Sequence, residues 1–126
     1  IIWGNIGDTK ETLWKSVEFL KKYDDHAQLR TIRPVTPYPG CDLYYEAIKR
    51  GLLDNVEDFY ENKHVNSDLL TVNFTNLTDD EFHIELYKAN RCLLSRYYGD
   101  LNVKMDTVAR ELYTHKNVNF RGFRQT

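Results

Sequence analysis

The stretch "TIRPVTPYPGCDLYYEAIKRGLL", Thr31–Leu53, decides how the chain is read, because it holds all three prolines of the protein within six residues, directly before a helical pattern. Pro34, Pro37 and Pro39 fix their own φ and push Arg33, Thr36 and Tyr38 into extended conformations. The segment is therefore a stiff extended run that turns at Gly40. Behind it, Asp42 is placed to cap a short helix over Leu43–Arg50, with Leu43, Tyr44, Ala47 and Ile48 as its buried stripe. Lys49 and Arg50 suit the negative end of that helix dipole, and Gly51 is placed as its C-terminal cap.

Working outward toward the N-terminus, Ile1 to Trp3 reads as a buried strand ended by Gly4-Asn5-Ile6-Gly7. Asp8 followed by Glu11 three residues later has the spacing of a capping box. Leu13, Trp14, Val17, Leu20 and Tyr23 recur at helical spacing, which predicts a helix over Thr9–Lys22. Asp24-Asp25-His26 reads as a turn, and Gln28–Arg33 as a second strand. The order strand, helix, strand, helix with short connections predicts an α/β fold with parallel strands joined by right-handed crossovers. Such units carry their working residues beyond the C-terminal ends of the strands, where both irregular turns fall. The opening apolar run, with no lead-in before a strand, gives the expectation of a piece of a longer chain, since termini fray.

Beyond Gly51 the character changes. Val56–Glu61 reads as one or two helical turns, and Leu69–Phe74 as an extended or strand segment. Thr78 with Glu81 forms a second capping box. Phe82, Leu86, Ala89 and Leu93 predict a long helix to about Tyr98, stopped by Gly99. Met105, Val108, Ala109 and Leu112 predict a last helix over Val103–His115. A boundary near Asn62–Asp68 divides residues 1–61, the α/β piece, from residues 62–126, a mostly helical C-terminal extension.

Composition narrows the functional classes. A net charge of -2 gives no whole-chain argument for nucleic acid or an anionic membrane surface. The apolar runs are a few residues long, too short to span a bilayer. Cys41 and Cys92 stand far apart without metal-type spacing and read as two free thiols of a reducing cytoplasm. His26, His64, His83 and His115 have no partner ligand at metal spacing and read as exposed, with His83 partly buried beside Phe82. Asp24-Asp25 and Asp79-Asp80 are adjacent carboxylates that do not face each other, and Asp79-Asp80-Glu81 complements a helix dipole. No nucleophile elbow or triad is present. The turn Gly4-Asn5-Ile6-Gly7 could offer backbone amides to an anion, but matches neither phosphate-loop nor dinucleotide spacing. In the tail, Phe120 and Phe123 beside Lys116, Arg121 and Arg124 read as docking the C-terminus onto its own domain. Stacking on RNA is a weaker reading of the same residues.

Taken together, "IIWGNIGDTKETL" and "RPVTPYPGCDLYYEAIKRGLL" resemble the later part of radical SAM enzymes. There a strand ending like I-x-G-x-P-G-E-T-x-E-T leads into a helix, and the next strand ends in T-P-Y-P-G-T-P-L-Y, followed by a short helix and a G-L-I or G-L-L turn. The resemblance covers about Ile1 to Asp58. The stretch "LLTVNFTNLTDDEFHIELYKANRCLLSRYY" looks like the C-terminal extension of the branch with a cobalamin-binding domain upstream. The resemblance implies a partial (β/α) barrel in a parent protein, S-adenosylmethionine as cosubstrate, and a [4Fe-4S] cluster held by C-x-x-x-C-x-x-C, with cobalamin as a further cofactor. It implies the upstream barrel and cobalamin-type domains as partners. It places Gly4, Asn5, Gly7, Thr36 and Tyr38 near the adenosyl moiety.

The chain departs from that pattern at Ile6, Asp8, Cys41 and Asp42, where proline, glutamate, threonine and a second proline are usual. With two cysteines it cannot supply the cluster motif, so the expectation is no cofactor on this chain alone and no activity alone. Two strands taken from a barrel would also leave unpaired edges, which implies self-association or covering by helices. A reading from a different class is a non-catalytic helical interaction module.

Overall fold

The computed structural model describes residues 1–116. Its elements are β1 (Ile2–Trp3), α1 (Lys10–Tyr23), β2 (Arg33–Pro34), α2 (Asp42–Lys49), α3 (Val56–Asp58), which runs into a π-helical turn at Phe59–Lys63, and α4 (Asp79–Tyr113). The expected partial barrel is not what forms. The protein is mostly helical, with β1 and β2 as a two-stranded parallel sheet in the register Ile2 to Arg33 and Trp3 to Pro34. Among the described residues no further strand joins it.

The physical reason lies in α4. The expected strand over Gln28–Arg33 is loop up to Ile32, and the Asn90 carboxamide takes both backbone groups of that residue. Asn90 Oδ1 accepts from the Ile32 N–H at 2.8 Å, and Asn90 Nδ2 donates to the Ile32 carbonyl at 2.9 Å. A helix side chain thus does the pairing that a neighbouring strand would do. The expected strand over Leu69–Phe74 is likewise loop. Val72 and Phe74 are buried, but Thr71 beside them is buried too, so the segment does not alternate cleanly, and its polar groups turn inward on a local knot. Asn73 Nδ2 donates to the Leu77 carbonyl, while Asn73 Oδ1 accepts from the N–H and hydroxyl of Thr75.

Helix α1 starts one residue later than its predicted cap. Thr9, not Asp8, is the N-cap, and its box partner is Thr12 rather than Glu11. In α2, Cys41 occupies the N-cap without a side-chain bond and Asp42 is the first helical residue. Its C-terminus follows the sequence: Gly51, with φ +71°, donates to the Ile48 carbonyl and Leu52 to that of Ala47, the paired bonds of a Schellman cap. The Thr78–Glu81 capping box of α4 forms as read. The two helices expected on either side of Gly99 are one helix of 35 residues. An isolated glycine costs only about 1 kcal/mol in a helix, and no proline or cap follows Gly99 to enforce a stop.

Two apolar cores result. The first joins Trp3, Leu13, Val17, Leu20 and Ile32 to Phe82, Leu86, Ala89 and Leu93, so α4 packs across α1 and the sheet. It draws on residues from both sides of Asn62–Asp68. The second gathers Val35, Tyr44, Ala47, Leu53, Phe59, Val72 and Phe74 under α2. No helix among the described residues is long and apolar enough to cross a membrane. Residues 117–126, including Phe120, Arg121, Phe123 and Arg124, lie outside the described residues.

Candidate functional site

Both strands end at one level. The Val35 N–H donates to the Trp3 carbonyl at 2.9 Å, so the chain leaves β1 and β2 side by side. Each exit is then built alike. Asp8 N–H donates to the Asn5 carbonyl, closing a four-residue turn with Gly7 in third position at φ +86°. Cys41 N–H donates to the Tyr38 carbonyl, closing a second turn with Pro39 in second position and Gly40 third at φ +98°. A positive φ in third place is the type II pattern, which glycine enters without steric cost. Each turn leads directly into a helix.

The candidate residues divide between these turns. Gly4 is buried at φ +103°, with room for no side chain: a Cβ there would stand 2.8 Å from the Phe82 ring. Asn5 and Gly7 are exposed. Three of the amides that could have received an anion are occupied, because Asp8 Oδ2 accepts from both Gly4 N–H and Asn5 N–H at 2.9 Å, and Asn5 Oδ1 accepts from Ile6 N–H. Asp8 therefore serves as an internal anion that closes the turn, in place of its expected capping role. Its second oxygen accepts from the Thr12 hydroxyl at 3.0 Å.

Thr36 and Tyr38 line a shallow cavity of about 270 Å³ with Ile2, Arg33, Val35 and Ser67. Gly4, Asn5 and Gly7 are not among its walls. Its chemistry is mixed: two hydroxyls, an aromatic ring, and a guanidinium held by Asp68, with 3.1 Å between Arg33 Nε and Asp68 Oδ1. Pro37 is fully buried, which anchors Tyr38 at the rim while leaving its ring half exposed.

The sequence reading passed over what stands behind Tyr38. His64, read there as exposed, is half-buried. It stacks on Phe59 with 5.2 Å between centroids, and its Nε2 lies 3.5 Å from the Tyr38 hydroxyl. Its Nδ1 is buried without a hydrogen-bond partner among the described residues. The π-helical turn makes this stack possible: His64 N–H donates to the Phe59 carbonyl, five residues back, which brings the two rings over each other. In an α-helix, residues three or four apart share a face and five-apart residues do not. The spacing Phe59 to His64 was the available signal, and it has no meaning until the π turn is known. Single π turns occur often at functional sites.

The donor set does not fit a four-iron cluster. Cys41 is exposed at the start of α2 and Cys92 lies half-buried on α4. No group of three or more histidine, cysteine, aspartate or glutamate side chains converges among the described residues. No family model matches the chain, and neither a curated protein nor a solved structure does.

Proposed function

We propose that the chain is the C-terminal portion of a radical SAM enzyme, in which it contributes the rim of the adenosyl and substrate pocket and not the cluster. The observation that carries this reading is the shared level of the two strand exits, fixed by the Val35–Trp3 hydrogen bond, which sets "TPYPG" beside "GNIGD" at one edge. The two stretches that carry the sequence resemblance are thereby neighbours in space. Within the rim, Tyr38 offers a ring face for a base, and Thr36 and Ser67 offer hydroxyls to a ribose. Gly4, Asn5 and Gly7 act through shape, since Asp8 already holds the amides of Gly4 and Asn5.

The test uses the longer protein. An upstream C-x-x-x-C-x-x-C and formation of 5′-deoxyadenosine from S-adenosylmethionine, after reconstitution with iron and sulfide and reduction by dithionite, are the expected results. Tyr38→Ala should then weaken S-adenosylhomocysteine binding by roughly 2- to 10-fold, the loss of one stacked ring at about 0.5–1.5 kcal/mol. A parent without the three-cysteine motif, or one yielding no 5′-deoxyadenosine, overturns the reading.

A further inference from the structure

Helix α4 carries a second, largely apolar stripe that the other described residues leave mostly open. Ile84, Tyr87, Arg91, Leu94, Tyr98, Leu101, Met105 and Val108 follow one another at alternating steps of three and four residues. That is a period of 3.5, the seam of a left-handed coiled coil. It is distinct from the stripe of Phe82, Ala89 and Leu93 that packs toward α1. Ile84, Tyr87, Tyr98, Leu101 and Met105 are between 42% and 62% exposed. From Leu101 to Thr107 every residue is exposed, so this part of α4 stands clear of the other described residues. Isolated helices of that length are marginal in water, and helices in proteins draw most of their stability from packing.

The N-terminal half of the same seam forms the floor of a trough. A cavity of about 790 Å³, larger than the one at the strand exits, is lined by Leu69, Tyr87, Arg91, Leu94 and Tyr98, with Asp68 at its wall. One half of α4 is therefore an apolar trough and the other an apolar ridge of matching period.

We infer that α4 pairs with α4 of a second copy as an antiparallel coiled coil, the ridge of each chain lying in the trough of the other. Charge selects the orientation. A parallel pair in register would set Arg91 against Arg91 of the other copy, two like charges in one layer of the seam. The antiparallel pair, with its two-fold axis level with Gly99 and Asp100, sets Tyr98 against Leu101, Leu94 against Met105, and Arg91 against Val108. Glu111 of the second copy then lies one turn from that Val108, within reach of the Arg91 guanidinium. Both chains present the same patch, so the contact closes at two copies. This inference does not rest on the enzyme reading, and its failure leaves that reading untouched.

Sedimentation or light scattering on the 126-residue chain tests it. A dimer is expected at micromolar concentration. Met105→Glu, on the free ridge, should raise the dimer dissociation constant on the order of 100-fold, because the two-fold axis buries the new charge twice. Circular dichroism should show that variant still folded. For orientation, Cys41 and Cys92 are first replaced by serine. Leu94→Cys mixed with Met105→Cys should then form a disulfide on oxidation, and Leu94→Cys alone should not. A chain that stays monomeric at high concentration overturns the inference. So does a dimer indifferent to Met105→Glu, or a Leu94→Cys variant that links to itself.

Discussion

Trp3 and Phe82 lie face to face, 4.3 Å between ring centroids and 19° between planes, and this stack joins the sheet to the first turn of α4. Directly above it sits Gly4, whose missing side chain leaves the space that the Phe82 ring fills. Phe82→Ala should cost about 3–5 kcal/mol of unfolding free energy. Gly4→Ala adds a steric clash to a backbone conformation that costs a non-glycine residue on the order of 1–3 kcal/mol. In the Phe82→Ala background only the backbone cost remains, so the two effects should not add. Urea unfolding of the two single variants and the double variant checks this, and strict additivity contradicts the packing described.

Asn90 holds Ile32 at both its N–H and its carbonyl, so Asn90→Ala strands two backbone groups. Each buried unsatisfied group costs about 1–3 kcal/mol. The expected loss is roughly 2–6 kcal/mol, with faster hydrogen exchange at the Ile32 amide. Asn90→Asp keeps the acceptor for the N–H and loses the donor to the carbonyl. Its Ile32 amide should therefore stay better protected than in Asn90→Ala. Equal exchange in the two variants would show that the carboxamide does not hold this edge.

Asp8 closes the first turn by accepting from the Gly4 and Asn5 amides and from the Thr12 hydroxyl. Asp8→Ala should destabilise the protein by about 1.5–3 kcal/mol, the range for hydrogen bonds to a charged group. Asp8→Asn retains one oxygen acceptor and should recover part of that loss. Thermal unfolding of both variants decides the point: if Asn rescues nothing, the carboxylate is not the organising group.

Glu85 ties α4 to α1. Burial is the largest influence on its carboxyl and works upward. The hydrogen bonds from Trp14 and Lys88, with the charges of Lys88 and Lys10, together outweigh it and hold the pKa below the ordinary value of 4.5. A carboxylate depressed in the folded state adds stability above its unfolded pKa and loses it as pH falls through its folded pKa. Unfolding free energy should therefore fall as pH drops below about 4.5. Glu85→Gln should flatten that fall, measured as urea midpoints along a pH series. A wild-type and variant pair with parallel pH profiles would remove Glu85 from the account.

The elements legible in the sequence are those whose signals are local. The α2 helix, its Gly51 cap, the Thr78–Glu81 box and the stripe Phe82, Leu86, Ala89, Leu93 each depend on residues a few positions apart. What was misread depends on partners far along the chain. Nothing within Gln28–Arg33 says that Asn90, 58 residues beyond Ile32, will take its hydrogen bonds, so a strand was expected where a loop is held. Gly99 carries the ordinary mark of a helix end, and only continued helical backbone on both sides overrides it. At the site, proline stiffness and the glycine turn locate two irregular turns beyond the strands, while Gly4, Asn5, Gly7, Thr36 and Tyr38 are named as candidates by the resemblance alone. His64 escaped because a five-residue return in the backbone cannot be seen from an α-helical period. Asp8 was assigned to the helix in front of it when its carboxylate points back to the turn behind it.

The carboxamide of Asn90 also has a meaning for the life of the chain before folding ends. Until α4 arrives, the backbone of Ile32 is an open socket for any passing extended segment. Since α4 begins 46 residues after β1 and β2 could first pair at Arg33, synthesis leaves that socket exposed for the time those residues take to emerge. A product interrupted before Thr78 would keep it open permanently, next to an uncovered Trp3. Such truncated chains should be the adhesive species in this protein's biogenesis, and the complete helix acts as their stopper.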